Sequence, residues 1–281
     1  MNISKGVLFM VVSSFTFSLM KVCVKMLSHI PAIEVIFFRS IISIVICMFF
    51  FAKDKVSPWG NNKKVLLLRG VTGSIALATY FYILQQIPLA AAASMQYMSP
   101  VFAAVLGVFI VKEKVGAWQY LFFLVSFAGI IVIQGFDVRI STLHLVMGIG
   151  GALFTGLAYN CIRILKTSEH PLVIIFYFPL VSLPLSGAIS YFNWVTPVGM
   201  DWLYLLLVGL FTQIAQVFMT MSYQREKISK VSIINYTGII YSIVFGLFIF
   251  EESYPMWSYI GMGLVILGVI LNLKFKEASI N

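Results

Sequence analysis

The sequence predicts an all-α membrane protein of ten transmembrane helices, arranged as two inverted five-helix repeats. Three observations carry that prediction. The 281 residues are 60% apolar and only 10% charged, far from the roughly 25% charge of an ordinary soluble domain. The apolar residues fall into continuous runs of about 20, the length that crosses a hydrocarbon core about 30 Å thick. The stretch from Ala91 to Gln134 also occurs twice. Tyr97 falls on Tyr236, Gly107 on Gly246, Phe109-Ile110 on Phe248-Ile249 and Glu113 on Glu252, followed by Trp118 on Trp257, Tyr120 on Tyr259 and Gly129 on Gly268. The register never slips. Two membrane hairpins can look alike through a small alphabet alone, but a shared Glu, Trp, Tyr and two Gly at fixed offsets argue against coincidence. Internal repeats in such a chain mark folds whose halves swap the exposure of a central site.

In chain order, the predicted helices span residues 6–27, 32–51, 65–85, 89–111, 117–135, 145–165, 171–192, 202–222, 229–250 and 255–273. These runs are far longer than the roughly ten residues of a barrel strand, which argues against a β-barrel. The first is too long for the apolar region of a signal peptide and lacks a small-residue cleavage site, so a retained helix is expected. Residues 1–140 and 141–281 are expected to form one five-helix unit each.

The turn inside each copy gives the orientation. It reads Lys112-Glu113-Lys114 in the first copy and Glu251-Glu252-Ser253 in the second. Positive residues collect on the cytoplasmic side, so the copies are expected to lie upside down relative to each other. With both termini inside, the cytoplasmic turns hold Lys53, Lys55, Lys63 and Lys64, then Lys112 and Lys114, then Arg163 and Lys166, then Arg225, Lys227 and Lys230. The tail adds Lys274 and Lys276, and the outer turns keep little beyond Lys25 and Arg139. The net charge of +9 therefore reads as anchoring and orientation, not nucleic-acid binding.

Small residues mark close helix contacts. Gly70, Ser74 and Ala78 recur every four residues on the third helix, and Gly148, Ala152 and Gly156 on the sixth; such spacing lets backbones approach in lipid. Gly261 and Gly263 lie inside a helix with no preceding strand, so packing is expected there and nucleotide binding is not. Cys23, Cys47 and Cys161 sit singly in apolar runs and read as buried small hydrophobes.

Polar side chains inside such helices are expensive and should face a cavity or a partner. On the first helix Ser14, Ser18, Lys21 and Lys25 share one face. Gln213, Gln216, Thr220 and Tyr223 form a stripe on the eighth, and the ninth offers Ser232, Asn235, Tyr236, Tyr241 and Ser242. The fourth supplies Ser94, Gln96 and Tyr97, and Tyr80 and Tyr159 add aromatic hydroxyls on the third and sixth. A single Ser or Thr reads first as an interhelical hydrogen bond worth about 0.6 kcal/mol, whereas whole stripes point to a cavity. An inverted repeat places Tyr97 and Tyr236 across its axis.

Lys21 and Arg39 each lie about seven residues, or roughly 10 Å, below the outer helix ends. A charge at such depth costs on the order of 3 kcal/mol unless it meets water or a partner. Glu34 is the nearby acid, but its offset from Arg39 puts the two on different helix faces. Lys21 and Arg39 are therefore candidates to hold a carboxylate or phosphate of the substrate, with tyrosines and phenylalanines around its apolar part. The structural alternative has Arg39 on helix carbonyls and Lys21 snorkelling outward. Glu113, Asp137, Asp201, Glu226, Glu251 and Glu252 all fall near helix ends, which favours facilitated diffusion or exchange over proton coupling through Glu34. His29, His144 and His170 sit in or beside turns without metal-ligand or nucleophile–base spacing, so no catalytic group, metal or cofactor is expected.

Several runs resemble the drug/metabolite transporter superfamily in its EamA-type branch: Glu34-Val35-x-Phe37-Phe38-Arg39, Leu68-Arg69-Gly70, and Ser99-Pro100-Val101 leading to Glu113, Trp118 and Gly129. The second half keeps Glu252, Trp257 and Gly268, but has Ile239 where Pro100 would match and no arginine matching Arg39. The resemblance covers nearly the whole chain. It implies a central cavity built largely from helices one, three, four, six, eight and nine, and a carrier of amino acids, other metabolites or nucleotide derivatives. The E-V-x-F-F-R run followed by L-R-G is most similar to the subgroup of S-adenosylmethionine carriers of intracellular bacteria. A sulfonium would call for more buried acid than this chain holds, although the methionine carboxylate suits Lys21 or Arg39.

The expectation is therefore a carrier of a small polar or zwitterionic organic metabolite, amino-acid-like or S-adenosylmethionine-like, working by alternating access in the bacterial inner membrane. A drug or amino-acid exporter of the same fold is the alternative within transport; a channel-like pore and an intramembrane enzyme are the alternatives outside it. Candidate substrate-binding residues are Ser14, Ser18, Lys21, Glu34, Arg39, Tyr80, Gln96, Tyr97, Tyr159, Gln213, Gln216, Asn235 and Tyr236. The expected partners are the substrate and the lipid bilayer, with no nucleic acid, in a monomer or weak homodimer.

Overall fold

A computed structural model describes residues 4–110, 112, 117–225 and 235–278. Among the described residues every regular element is a helix: α1 (Lys5–Met26), α2 (Ala32–Asp54), α3 (Lys63–Gln86), α4 (Leu89–Gln96), α5 (Ser99–Ile110), α6 (Ala117–Phe136), α7 (Thr142–Leu165), α8 (Pro171–Ser190), α9 (Asp201–Arg225), α10 (Thr237–Ile249) and α11 (Met256–Ala278). Among the described residues seven stretches are long and apolar enough to cross a membrane, and the shorter apolar helices Leu124–Ile133, Thr237–Ile249 and Met256–Gly268 bring that set to ten. Hydrocarbon offers a peptide group no hydrogen-bond partner, so helix is the form these runs must take.

The predicted fourth helix is broken in two. Pro100 has no N–H, and its ring crowds the carbonyl four residues back, that of Gln96. The Ser99 hydroxyl donates to that freed carbonyl at 2.5 Å. In the second half α10 begins after Tyr236, at the point equivalent to the break, although Ile239 stands where proline would match. The predicted start of the ninth helix, including Ser229 and Ser232, lies outside the described residues. So do Glu113 and Lys114.

The halves pack by exchange. α1 lies along α9, and its repeat counterpart α7 lies along α3. α3 against α8 is matched by α9 against α2, and α5 against α7 by α10 against α1. The pairs α2–α8 and α6–α11 each join a helix to its own counterpart, and α4 packs against α10, the counterpart of α5. That pattern is a twofold relation. Five crossings per copy, an odd number, also make the second copy enter from the opposite face. The backbone keeps the repeat where the side chains do not: the equivalent turn residues Lys112 and Glu251 both take left-handed conformations, φ 56° and 52°, at a cost of about 1 kcal/mol each.

Glycines set the closest approaches. A Cβ on Gly129 would run into the Gly261 carbonyl, and one on Gly261 into the Gly129 carbonyl. Of the Gly261–Gly263 pair, only Gly261 is a packing residue; Gly263 meets nothing within 4 Å. Gly148 and Gly156 receive Met95 and the Phe102–Ala103 backbone, and so seat both halves of the broken helix against α7. Gly129→Val is expected to wedge α6 from α11 and destabilise the detergent-purified protein by an overpacking term on the order of 1–3 kcal/mol. Gly263→Val serves as the neutral control, both read by thermal unfolding.

Candidate functional site

The break between α4 and α5 brings Tyr97 to the seam between the halves. Its equivalent Tyr236 meets it edge to face, ring centroids 5.2 Å apart at 64°. Gly238 leaves room for this pair, since a Cβ there would collide with the Tyr97 hydroxyl. Around the two tyrosines lies a cavity of about 180 Å³, walled by α1–α5, α7–α9 and the residues leading into α10.

Nine of the sequence candidates line it: Lys21, Arg39, Tyr80, Gln96, Tyr97, Tyr159, Gln216, Asn235 and Tyr236. Four do not. The Ser14 hydroxyl donates to the Asn235 carbonyl at 3.1 Å, and that of Ser18 to the Ser14 carbonyl at 2.9 Å. Gln213 turns to α2, where its amide lies 3.5 Å from Cys47 Sγ. Glu34 is fully buried near the start of α2 and accepts the Val195 N–H at 3.0 Å. It anchors the α8–α9 connection, away from Lys21 and Arg39. Thr220 and Tyr223 of the predicted eighth-helix stripe have side chains outside the described set.

Three cations enter the cavity wall. Lys21, Arg39 and Arg69 are 5%, 3% and 7% exposed. Lys21 Nζ stands 5.3 Å from the Tyr97 ring centroid and 3.4 Å from Ser242 Oγ. Arg39 Nε donates to Thr212 Oγ1 at 3.3 Å, and its guanidinium carbon is 4.7 Å from the centre of the Phe178 ring. Arg69 shares that ring at 4.9 Å. The ion pairs among the described residues are Lys25–Glu252, His29–Asp201 and Arg139–Asp137; none of the three cavity cations has a carboxylate partner there. Gln96 donates to Thr155 Oγ1 at 3.1 Å, tying α4 to α7.

Sequence reasoning missed Arg69, Phe178, Thr155 and Thr212. Arg69 stood only as part of the Leu68-Arg69-Gly70 run, close to a helix end where arginines usually anchor. Its overlooked signal is Gly73, one turn later on the same face, where Arg69 Nη1 occupies the space that a Cβ would fill.

On the face that carries Glu252, a charged cluster joins α1, α4 and the loop before α11. Glu252 pairs with Lys25 at 2.5 Å, accepts the Leu89 N–H of α4 at 2.9 Å and accepts the Tyr254 hydroxyl at 2.5 Å. A carboxylate at a helix N-terminus also meets the positive end of the helix dipole. Lys25 Nζ reaches the Ile87 carbonyl at 2.7 Å. Beside them Arg139 forks onto Asp137 and donates to the Ser253 carbonyl at 2.6 Å. Burial would raise the Asp137 carboxyl, but the Arg139 hydrogen bonds outweigh it and hold that group below its ordinary range. Burial and the neighbouring Glu252 push the Tyr254 hydroxyl above its own.

A family model of the EamA-like transporter family matches residues 4–135 and again residues 142–274. The chain belongs to the EamA-like transporter family. It is 30% identical over 278 residues to the pseudopaline exporter CntI of Pseudomonas aeruginosa, covering 98% of each chain. It is 29% identical to solute carrier family 35 member G1 of Mus musculus, over 93% of this chain and 76% of that one. A solved crystal structure superposes with a TM-score of 0.69 at 16% identity, over 97% of this chain and 96% of the other, a likeness of fold. This EamA-like protein is thus a multi-pass membrane transporter and not an enzyme. Of its first-half matches, Arg39, Arg69, Ser99 and Pro100 line the cavity.

Gly238→Ala is expected to drive the new methyl into the Tyr97 hydroxyl and to lower transport by about tenfold, on the scale of 1–2 kcal/mol for an overpacked contact. Adding Tyr97→Phe removes the clashing oxygen and should recover part of the loss. Transport equal to wild type in the Gly238→Ala single variant would contradict this packing.

Proposed function

We propose that the protein carries a small organic metabolite bearing an anionic group, amino-acid-like in size, by alternating access of two inverted halves, residues 1–140 and 141–281. The observation that carries this reading is the central cavity: three buried cations with no carboxylate partner among the described residues. A charge held away from water costs several kcal/mol unless it is paired, and an anionic substrate supplies the missing pair. Lys21 and Arg39 hold that anion. Tyr80, Tyr97, Tyr159 and Tyr236 present ring faces to its apolar body, and Gln96, Gln216 and Asn235 meet its neutral polar groups.

Size narrows the choice. A cavity of about 180 Å³ is close to the roughly 150 Å³ that holds one benzene. An amino acid or small organic acid fits that space, whereas an S-adenosylmethionine-like ligand requires the walls to part. The likeness to an exporter of pseudopaline supports outward movement of a metabolite. With both termini cytoplasmic, the Glu252 face is the outer one, and the Lys25–Glu252 cluster there acts as the cap that closes the central site from outside. The described cavity wall offers no carboxylate to carry a proton, which favours exchange or facilitated diffusion.

Counterflow in proteoliposomes tests the carrier. A panel of amino acids and small organic acids should include one that drives saturable uptake of its own labelled form; uptake that never saturates would instead mark a channel. Lys21→Gln and Arg39→Gln should each cut that uptake by about tenfold or more, the scale of a lost charged hydrogen bond. Unchanged uptake in both variants would remove these residues from the site. Glu252→Gln should weaken the cap, read as faster labelling of Leu77→Cys in the cavity by a membrane-impermeant thiol reagent added on the Glu252 side.

A further inference from the structure

One part of the cavity is more specialised than a single anion requires. Arg39 on α2 and Arg69 on α3 place their guanidiniums 4.7 Å and 4.9 Å from the centre of one aromatic ring, Phe178 on α8. Their like charges repel across that ring. Stacking on an aromatic face offsets some of this, but it leaves the in-plane N–H donors free to bond. Arg39 Nη1 and Arg69 Nε are buried and find no hydrogen-bond acceptor among the described residues. Arg39's side-chain hydrogen bond there goes to the neutral Thr212 hydroxyl. Arg69 lies along its own helix in the space that Gly73 leaves open, and Tyr159 stands close enough to feel its charge.

A purely structural arginine satisfies its donors on carbonyls of neighbouring helices. These two keep donors unsatisfied at a cavity wall where no acid pairs with them. A guanidinium is a planar fork matched to carboxylate and phosphate oxygens, and two such forks converging on one ring make a receptor for more than one negative charge. We propose that Arg39, Arg69 and Phe178 form a clamp for a small organic dianion, either two carboxylates or one phosphate ester, with Arg69 selecting dianions over monoanions. This deepens the carrier reading above and rests on it for the site's use, but binding can be measured without transport.

The test is ligand-induced thermal stabilisation of purified full-length protein by butyrate, succinate, glycerol 3-phosphate and alanine at constant ionic strength. A ligand at free concentration L that binds the folded state stabilises it by RT ln(1 + L/Kd), so at equal concentration the tighter ligand raises the melting temperature more. Wild type should bind succinate or glycerol 3-phosphate about tenfold or more tightly than butyrate or alanine, the scale of one charge-assisted fork. Which of the two dianions is preferred separates the dicarboxylate from the phosphate ester. Arg69→Gln should bring the preference down to about twofold, and Arg69→Lys should keep part of it. Gly73→Ala, which displaces Arg69 without removing its charge, should behave like Arg69→Gln.

Equal stabilisation of wild type by butyrate and succinate would overturn the clamp, as would an undiminished preference in Arg69→Gln. The wild-type series decides even where a variant does not fold. No stabilisation by any of the acids would overturn the clamp and leave carriage itself standing. A dianion that binds but gives no counterflow would do the reverse.

Discussion

Lipid cannot hydrogen-bond to a peptide group, and everything in this architecture follows from how the chain meets that demand. Ten apolar stretches satisfy their own backbones as helices. Where the helix fails, at Pro100, the exposed Gln96 carbonyl is met by the adjacent Ser99 hydroxyl. That failure is placed inside the protein, against a cavity, where irregular backbone is tolerated at membrane depth. The broken helix turns Tyr97 toward its counterpart from the other copy, so the same local defect builds both the seam between the halves and the lining of the site.

Charge is distributed on two different principles. At the Glu252 face, acids and bases pair: Lys25 with Glu252, Arg139 with Asp137, His29 with Asp201. In the cavity no such pairing is found among the described residues, and Lys21, Arg39 and Arg69 rest on tyrosine and phenylalanine rings and on hydroxyls. The first arrangement fixes the protein's own geometry. The second leaves electrostatic work for a guest.

Much of this was legible in the chain. Continuous apolar runs gave the helices, because membrane helices need length and apolarity and little else. The doubled Tyr97–Tyr236 pair could be placed at the seam, because a twofold operation brings equivalent residues together. Less legible was anything that depends on which way a side chain turns. Ser14, Ser18 and Gln213 share helix faces with cavity residues, yet Ser14 and Gln213 turn onto neighbouring segments and Ser18 onto a carbonyl of its own helix. Glu34 is the nearby acid on the same helix as Arg39, but it bonds a loop N–H. Arg69 sits where an anchoring residue belongs, and only the vacancy at Gly73 lets it fold inward. Such effects belong to packing, which periodicity does not report.

The Glu252 carboxylate answers to three elements together: a lysine on α1, the first amide of α4 and a tyrosine in its own loop. Withdrawing the carboxylate takes a partner from all three in a single movement and leaves Lys25 only the Ile87 carbonyl. One carboxylate thus ties the end of α1, the start of α4 and the loop before α11 into a single fastening.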